Sequence, residues 1–250
     1  GLMEPATYEI GQINLAGTNY FMPARINTYI GGFEAFGAGA RWEDLNPGPG
    51  GLERATVIRY DSPTIAGFAL SAAWGENEAD NDVWDVALRY AGEFGAIRVA
   101  AGAGYREADE EDSDREESAV VGSASIIHVP TGLFLNSGAA VYDRDGAGSP
   151  GAGETDDASF WYIQGGIQQQ WLSWGKTTIT AQYLRSDSGA RSGDYFRDDS
   201  HTNTFGLGVS QTIDAAATDI YFGYQQHDAE VDGVSFVEPR SYFLGARLRF

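Results

Sequence analysis

The chain has no cysteine. That removes disulfide frameworks, thiolate metal sites and cysteine nucleophiles together. Basic residues are scarce: 16 Lys and Arg stand against 36 Asp and Glu, a formal charge of −20, and Lys176 is the single lysine. A nucleic-acid binder needs a positive footprint, so that partner class is excluded. No apolar run reaches the length of a membrane-crossing helix. The start lacks a basic stretch leading into an apolar one, and the expectation is that any signal peptide has already been removed. Histidine is limited to His128, His201 and His227, scattered without metal-ligand spacing. There is no Gly-x-Ser-x-Gly elbow, so catalysis is not expected. No cofactor is implied.

What is present is acid in patches. Five windows (76–82, 107–117, 143–157, 186–200 and 227–239) carry 25 of the 36 acids, and the rest of the chain is close to neutral. Disorder is a poor explanation, because 13% of the residues are aromatic and apolar residues recur with a period.

That period is two. Tyr242, Leu244, Ala246, Leu248 and Phe250 share one face, and Ser241, Phe243, Gly245, Arg247 and Arg249 share the other. Phe68, Leu70, Ala72 and Trp74 repeat the pattern, as do Trp84, Val86, Leu88 and Tyr90, and Ile97, Val99, Ala101, Ala103 and Tyr105. Alternation of this kind marks strands with one greasy and one polar face. Twelve strands are predicted, near 7–15, 54–61, 66–75, 83–91, 96–105, 118–128, 132–142, 158–170, 176–186, 202–212, 218–227 and 240–250. Segments 118–128 and 132–142 are ambiguous in phase. Most predicted strands run nine to eleven residues, the length a tilted strand needs to cross a bilayer. Short turns alternate with the five acidic loops, and Trp and Tyr collect near strand ends. Both features describe an all-β, transmembrane antiparallel β-barrel. A soluble sandwich would point its greasy faces at each other and use shorter strands. The chain is expected to form a single domain, 1–250.

Several short motifs carry a resemblance. They are Ile58-Arg59-Tyr60-Asp61-Ser62-Pro63 followed by Ala66-Gly67-Phe68, then Ser173-Trp174-Gly175-Lys176-Thr177, then Ile213-Asp214-Ala215-Ala216-Ala217-Thr218. The last predicted strand ends in Phe250 with Tyr242 eight positions earlier. In their order and spacing these resemble the Gram-negative, proteobacterial general porin family. The resemblance implies a trimer of sixteen-stranded barrels in the bacterial outer membrane, each with its third external loop folded inward. It implies that Tyr242 and Phe250 belong to the signal read by the barrel-assembly machinery. It also makes residues 7–15 the fifth strand, so that four strands would precede Gly1. A true twelve-stranded barrel is the less favoured expectation, because its lumen would be narrow for an inserted loop.

Segment 16–53 is the candidate pore-constriction loop. It is the longest stretch without strand periodicity, and a loop so rich in Phe, Tyr and Gly is better satisfied by packing than by water. Its charged residues, Arg25, Glu34, Arg41, Glu43 and Asp44, are expected to face charged groups of the wall. On the wall, Arg59, Asp61, Asp85, Arg89 and Arg98 are the candidates. The arginines fall on the face opposite the greasy rows, where a charge avoids the roughly 2–4 kcal/mol of a mid-bilayer position. Opposed acid and Arg rows would set up a transverse field that filters solutes. Arg54 falls on the wrong parity. The acidic loops could also bind Ca²⁺ or Mg²⁺, including ions shared with lipopolysaccharide phosphates, although a solvated charge run is the simpler reading.

The function expected is passive diffusion of small hydrophilic solutes and ions through a water-filled pore. Outer-membrane lipid, lipopolysaccharide and two further copies of the chain are the expected partners. A substrate-specific channel, for a sugar or similar solute, is the rival, with Tyr20, Phe21, Phe33 and Phe36 as a potential aromatic slide. An outer-membrane barrel enzyme is the least favoured.

Overall fold

The computed structural model describes residues 2–18, 46, 48, 50–77, 81–110, 115–146, 149–192, 195–235 and 240–248. Eleven long strands follow one another: β1 (Thr56–Asp61), β2 (Phe68–Glu76), β3 (Asp82–Phe94), β4 (Ile97–Glu110), β5 (Arg115–His128), β6 (Leu133–Asp145), β7 (Asp157–Leu172), β8 (Gly175–Asp187), β9 (Ser200–Ile213), β10 (Thr218–Val231) and β11 (Arg240–Leu248). Each pairs antiparallel with the next, and the two-residue strand Val234–Ser235 beside β10 is the twelfth member of the sheet. Among the described residues no register joins β1 to β11, so the sheet is open.

Neighbouring strands are linked by short turns at one end. Tight closure there needs small residues: Gly132 has φ +66, and a Cβ on it would lie 1.8 Å from the Gln168 carbonyl oxygen. At the other end lie the acidic loops. Two of them meet, because Tyr195–Arg197 pairs with both Arg191–Ser192 and Glu154–Thr155 in a separate three-stranded sheet.

The greasy rows do not meet each other. Ile58 is 78% exposed and Leu244 76%, and Phe68, Leu70, Leu88, Ile126, Leu135, Ile163, Ile179, Phe205 and Phe222 are exposed on the same side. The opposite face is buried and carries Asp85, Arg106, Ser125, Asn136, Gln164, Gln182, Thr202 and Thr204. The ambiguous pair also resolves: Ala119, Val121, Ser123 and Ser125 of β5, and Phe134, Asn136, Ala140 and Tyr142 of β6, point inward. A soluble sandwich would bury the greasy rows, so that architecture is excluded.

Aromatic side chains bracket the greasy band. Trp74 and Trp84 are cross-strand partners at the loop end, with the Tyr105 ring 5.2 Å from Trp84. At the turn end Phe68 and Tyr90 stand 4.6 Å apart, followed by exposed Phe94. Trp84 and Phe94 are ten residues apart on β3, about 33 Å of strand. At a tilt of about 40° this projects to about 25 Å, the height of an outer-membrane apolar band.

Two sequence expectations need correcting. Residues 7–15 are not a strand: Ile10–Gln12 form one turn of 3-10 helix, preceded by Glu9 at φ 59. The chain there is matched to side chains instead of a neighbouring strand. The Ile13 amide donates to Ser123 Oγ at 3.0 Å and the Leu15 amide to Ser125 Oγ at 2.9 Å, both spaced by two. Most strands are also longer than nine to eleven residues, since β7 has 16 and β4, β5, β9 and β10 have 14, while β1 has 6 and β2 and β11 have 9. Their polar loop-side ends continue the ladder past the aromatic level, where water replaces hydrocarbon.

Candidate pore constriction

The inserted segment begins at Glu4, earlier than the expected boundary at Ala16, and its described part has two limbs. The outbound limb, residues 4–18, crosses the inward face from β1 to β7. Its first contacts are electrostatic. Arg59 Nη1 donates to the carbonyls of Glu4 and Pro5 at 2.9 and 3.0 Å, and Arg89 donates to that of Ala6. Asp85 accepts from the amides of Ala6 and Thr7 at 2.9 and 2.6 Å. Farther along, Ile10 and Ile13 lie over Gly102, where a Cβ would approach their side chains to within 3 Å. The limb ends on β7. Asn14 Nδ2 and Thr18 Oγ1 donate to Gln164 Oε1 at 3.0 and 2.5 Å, and Gln168 donates to the Ala16 carbonyl at 3.1 Å.

The return limb retraces the same wall. Asn46 reaches Thr202 Oγ1 on β9 at 3.3 Å, the Tyr142 hydroxyl donates to the Gly48 carbonyl at 2.9 Å, and Arg106 Nε donates to the Gly50 carbonyl at 2.8 Å. The Leu52 amide then donates to Thr7 Oγ1 at 3.1 Å, and Ala55 pairs with Met3. Backbone groups outside a ladder need partners when buried. Here the wall supplies them, which explains why its inward face is polar under a covered surface.

Each sequence candidate can now be placed. Arg59, Asp61, Asp85 and Arg89 come together: Arg59 binds Asp61 Oδ1 at 2.7 Å, Ser71 Oγ donates to the same oxygen at 2.5 Å, and Arg89 Nη1 donates to Ser71 at 2.9 Å. Arg98 lies apart at the β3–β4 turn, where it pairs with Glu93 at 2.6 Å. Arg54 lies just before β1 and pairs with Glu4 at 2.9 Å. Tyr242 points outward beside Tyr224, ring centroids 5.1 Å apart. Arg25, Glu34, Arg41, Glu43, Asp44, Phe250 and the four aromatics of the potential slide lie outside the described residues.

Sequence reasoning missed several members. Ser71, Ser123, Ser125, Asn136 and Gln164 form the hydrogen-bonding floor, with Ser125 Oγ to Asn136 at 2.6 Å and Asn136 to Gln164 at 2.9 Å. Parity was the signal for Ser71 and Gln164, which sit opposite the greasy rows, whereas Ser123, Ser125 and Asn136 lie on the two segments of ambiguous phase. Arg106, Glu117, Tyr142 and Arg144 were missed as a group. Arg106 and Arg144 both approach Glu117, at 2.7 and 3.5 Å, and the Arg106 guanidinium stands 5.7 Å from the Tyr142 ring centroid, within cation–π range. Phe196, from the loop sheet, is buried against Tyr142 at 6.5 Å.

Carboxylates of Glu107, Asp109 and Glu116 lie within 4.8 Å of one another on the outward side, just past Trp84 and Tyr105. They are the described group with the geometry to hold a divalent cation.

The chain thus combines an outward greasy band, an inward polar wall and a segment folded against that wall. The family model for Gram-negative porins matches residues 7–232. Among solved structures, an anion-selective porin from Comamonas acidovorans is similar with a TM-score of 0.51 at 14% identity, over 83% of this chain and 61% of that one. The outer membrane protein opdK from Pseudomonas aeruginosa gives a TM-score of 0.56 at 10% identity, over 78% of this chain and 61% of that one. The chain thus spans about three fifths of the length of these structures. No match is found among curated protein sequences. The likeness to these structures shows the fold; the family model, covering nearly the whole chain and agreeing with the geometry of wall and insert, shows that the chain belongs to the Gram-negative porins.

Proposed function

We propose that the chain supplies the wall and constriction of a water-filled channel for passive diffusion of small hydrophilic solutes and ions. Its place is the bacterial outer membrane. The observation that carries the reading is the inserted segment, hydrogen-bonded along both limbs to the inward face while the greasy rows face outward. A segment held across the lumen narrows it without sealing it. Arg59 and Arg89 contribute fixed positive charge at that level, against Asp61 and Asp85, as a charge filter requires.

Planar-bilayer recording of the purified protein tests the reading. Ohmic single-channel current in salt is expected, and no current would overturn it. Saturable block by one solute class would promote the substrate-specific reading, and hydrolysis of peptide or lipid by the pure protein would promote the enzyme. The expected assembly is a homotrimer in contact with lipid and lipopolysaccharide, with residues 1–250 acting as one domain. Mass measurement in detergent and native nanodiscs checks it. Divalent cations at Glu107, Asp109 and Glu116 belong to the same proposal, and titration with Ca²⁺ and Mg²⁺ checks them.

A further inference from the structure

We propose that Asp85 is the latch of the inserted segment: a positioning residue that, through Thr7, ties both limbs to the wall and so sets the width of the channel. This rests on the channel reading above.

The geometry is specific. Asp85 faces inward from β3 and is 1% exposed. A buried carboxylate needs donors to replace its water, and here all three come from the segment. Oδ1 accepts from the Ala6 amide at 2.9 Å, and Oδ2 accepts from the Thr7 amide and the Thr7 hydroxyl, both at 2.6 Å. Residues 6–9 form a turn, so no ladder satisfies those two amides. Charge-assisted bonds of this kind are roughly twice as strong as neutral ones. Among the described residues, the other wall groups that accept segment amides, Ser123 and Ser125, do so through neutral hydroxyls.

Thr7 then couples the limbs. The oxygen that donates to Asp85 also accepts from the Leu52 amide, 45 residues later, at 3.1 Å. Its methyl group is seated as well. Gly104 on β4 lies beneath it, and a Cβ there would come within 2.7 Å of Thr7 Cγ2. The outbound limb cannot lift from the wall here without breaking the Asp85–Thr7 contact, and the return limb is held to that contact through the Leu52–Thr7 bond. Arg59 and Arg89 hold carbonyls at the same turn, so the three wall groups divide the work: arginines take the acceptors, and Asp85 takes the donors.

The test compares wild type, Asp85→Asn and Thr7→Val in the full chain, by single-channel recording and by amide hydrogen exchange across residues 4–18. Asn keeps the volume but replaces one acceptor oxygen with a donor. The expected result is a larger or flickering unitary conductance for Asp85→Asn, with exchange in the segment about tenfold faster or more, the scale of one lost charge-assisted bond. Exchange in β5–β8 should not change, which a general loss of stability would not allow. Thr7→Val keeps the carboxylate and both amide bonds, so it remains measurable if Asp85→Asn fails to fold, and it should shift both readouts the same way. Wild-type conductance and wild-type exchange in the variants would overturn the latch. Absence of current in wild type would instead overturn the channel reading, and the exchange data would still decide whether Asp85 positions the segment.

Discussion

Arg106 Nη2 lies 2.7 Å from Glu117 Oε1 on the adjacent strand, while Nε of the same guanidinium donates to the Gly50 carbonyl at 2.8 Å. One side chain therefore joins two strands of the wall to the return limb. Arg144 approaches the same carboxylate from β6 at 3.5 Å, and both side chains of the first pair are largely buried.

Removing the shared carboxylate leaves two buried guanidinium groups facing each other. Glu117→Gln is expected to lower stability by about 3 kcal/mol, the lower range for breaking a buried pair. Urea unfolding from lipid vesicles measures it, and an unchanged midpoint would contradict the arrangement.

Gly138 faces inward beneath the turn of the inserted segment. A Cβ there would meet the Gly11 carbonyl oxygen and a Tyr162 ring carbon, each at 2.6 Å. Gly138→Ala is expected to cost about 1–3 kcal/mol by overpacking and to loosen residues 9–13. Gly122→Ala, whose nearest neighbour would be 3.4 Å away, is expected to stay within about 0.5 kcal/mol of wild type. Equal effects in the two variants would show that the segment does not rest on this wall.

The direction of the greasy rows is open to a lipid test. Leu88 is 47% exposed on β3, between the Trp84 and Phe94 levels, and Val129 is 53% exposed in a turn. Leu88→Arg is expected to destabilise the folded state in bilayers by about 2–4 kcal/mol, and Val129→Arg by about 0–1 kcal/mol. Folding titrations into vesicles give both numbers. A neutral Leu88→Arg would place that face in water.

Arg59 and Arg89 carry positive charge where the outbound limb meets the wall. Replacing both with Gln is expected to shift ion selectivity toward cations, read as a change in reversal potential under a salt gradient. Identical reversal potentials would mean that neither charge faces the conducting path.

Much of the architecture was legible in the residues themselves. Period-two rows such as Phe68, Leu70, Ala72 and Trp74 located the strands, acid-rich windows located the loops, and parity put Arg59 and Arg89 on the face away from lipid. Residues 7–15 show where that reasoning stops. A strand is expected there, yet residues 6–12 are a turn and a 3-10 helix, and the Ile13 and Leu15 amides bind hydroxyls of Ser123 and Ser125, contacts to the far wall that no local pattern announces. Nor could parity say that Asp85 is buried beneath Thr7, or that Phe196 returns from a loop to cover Tyr142.

The amino-acid order by itself determined which side chains share a face and where each strand turns, because alternation and turn chemistry act between residues a few positions apart. Only the tertiary structure decided the path of the inserted segment. Its wall anchors join residues 54 to 156 positions apart, and they depend on particular donors meeting particular acceptors, a match that leaves no period along the chain.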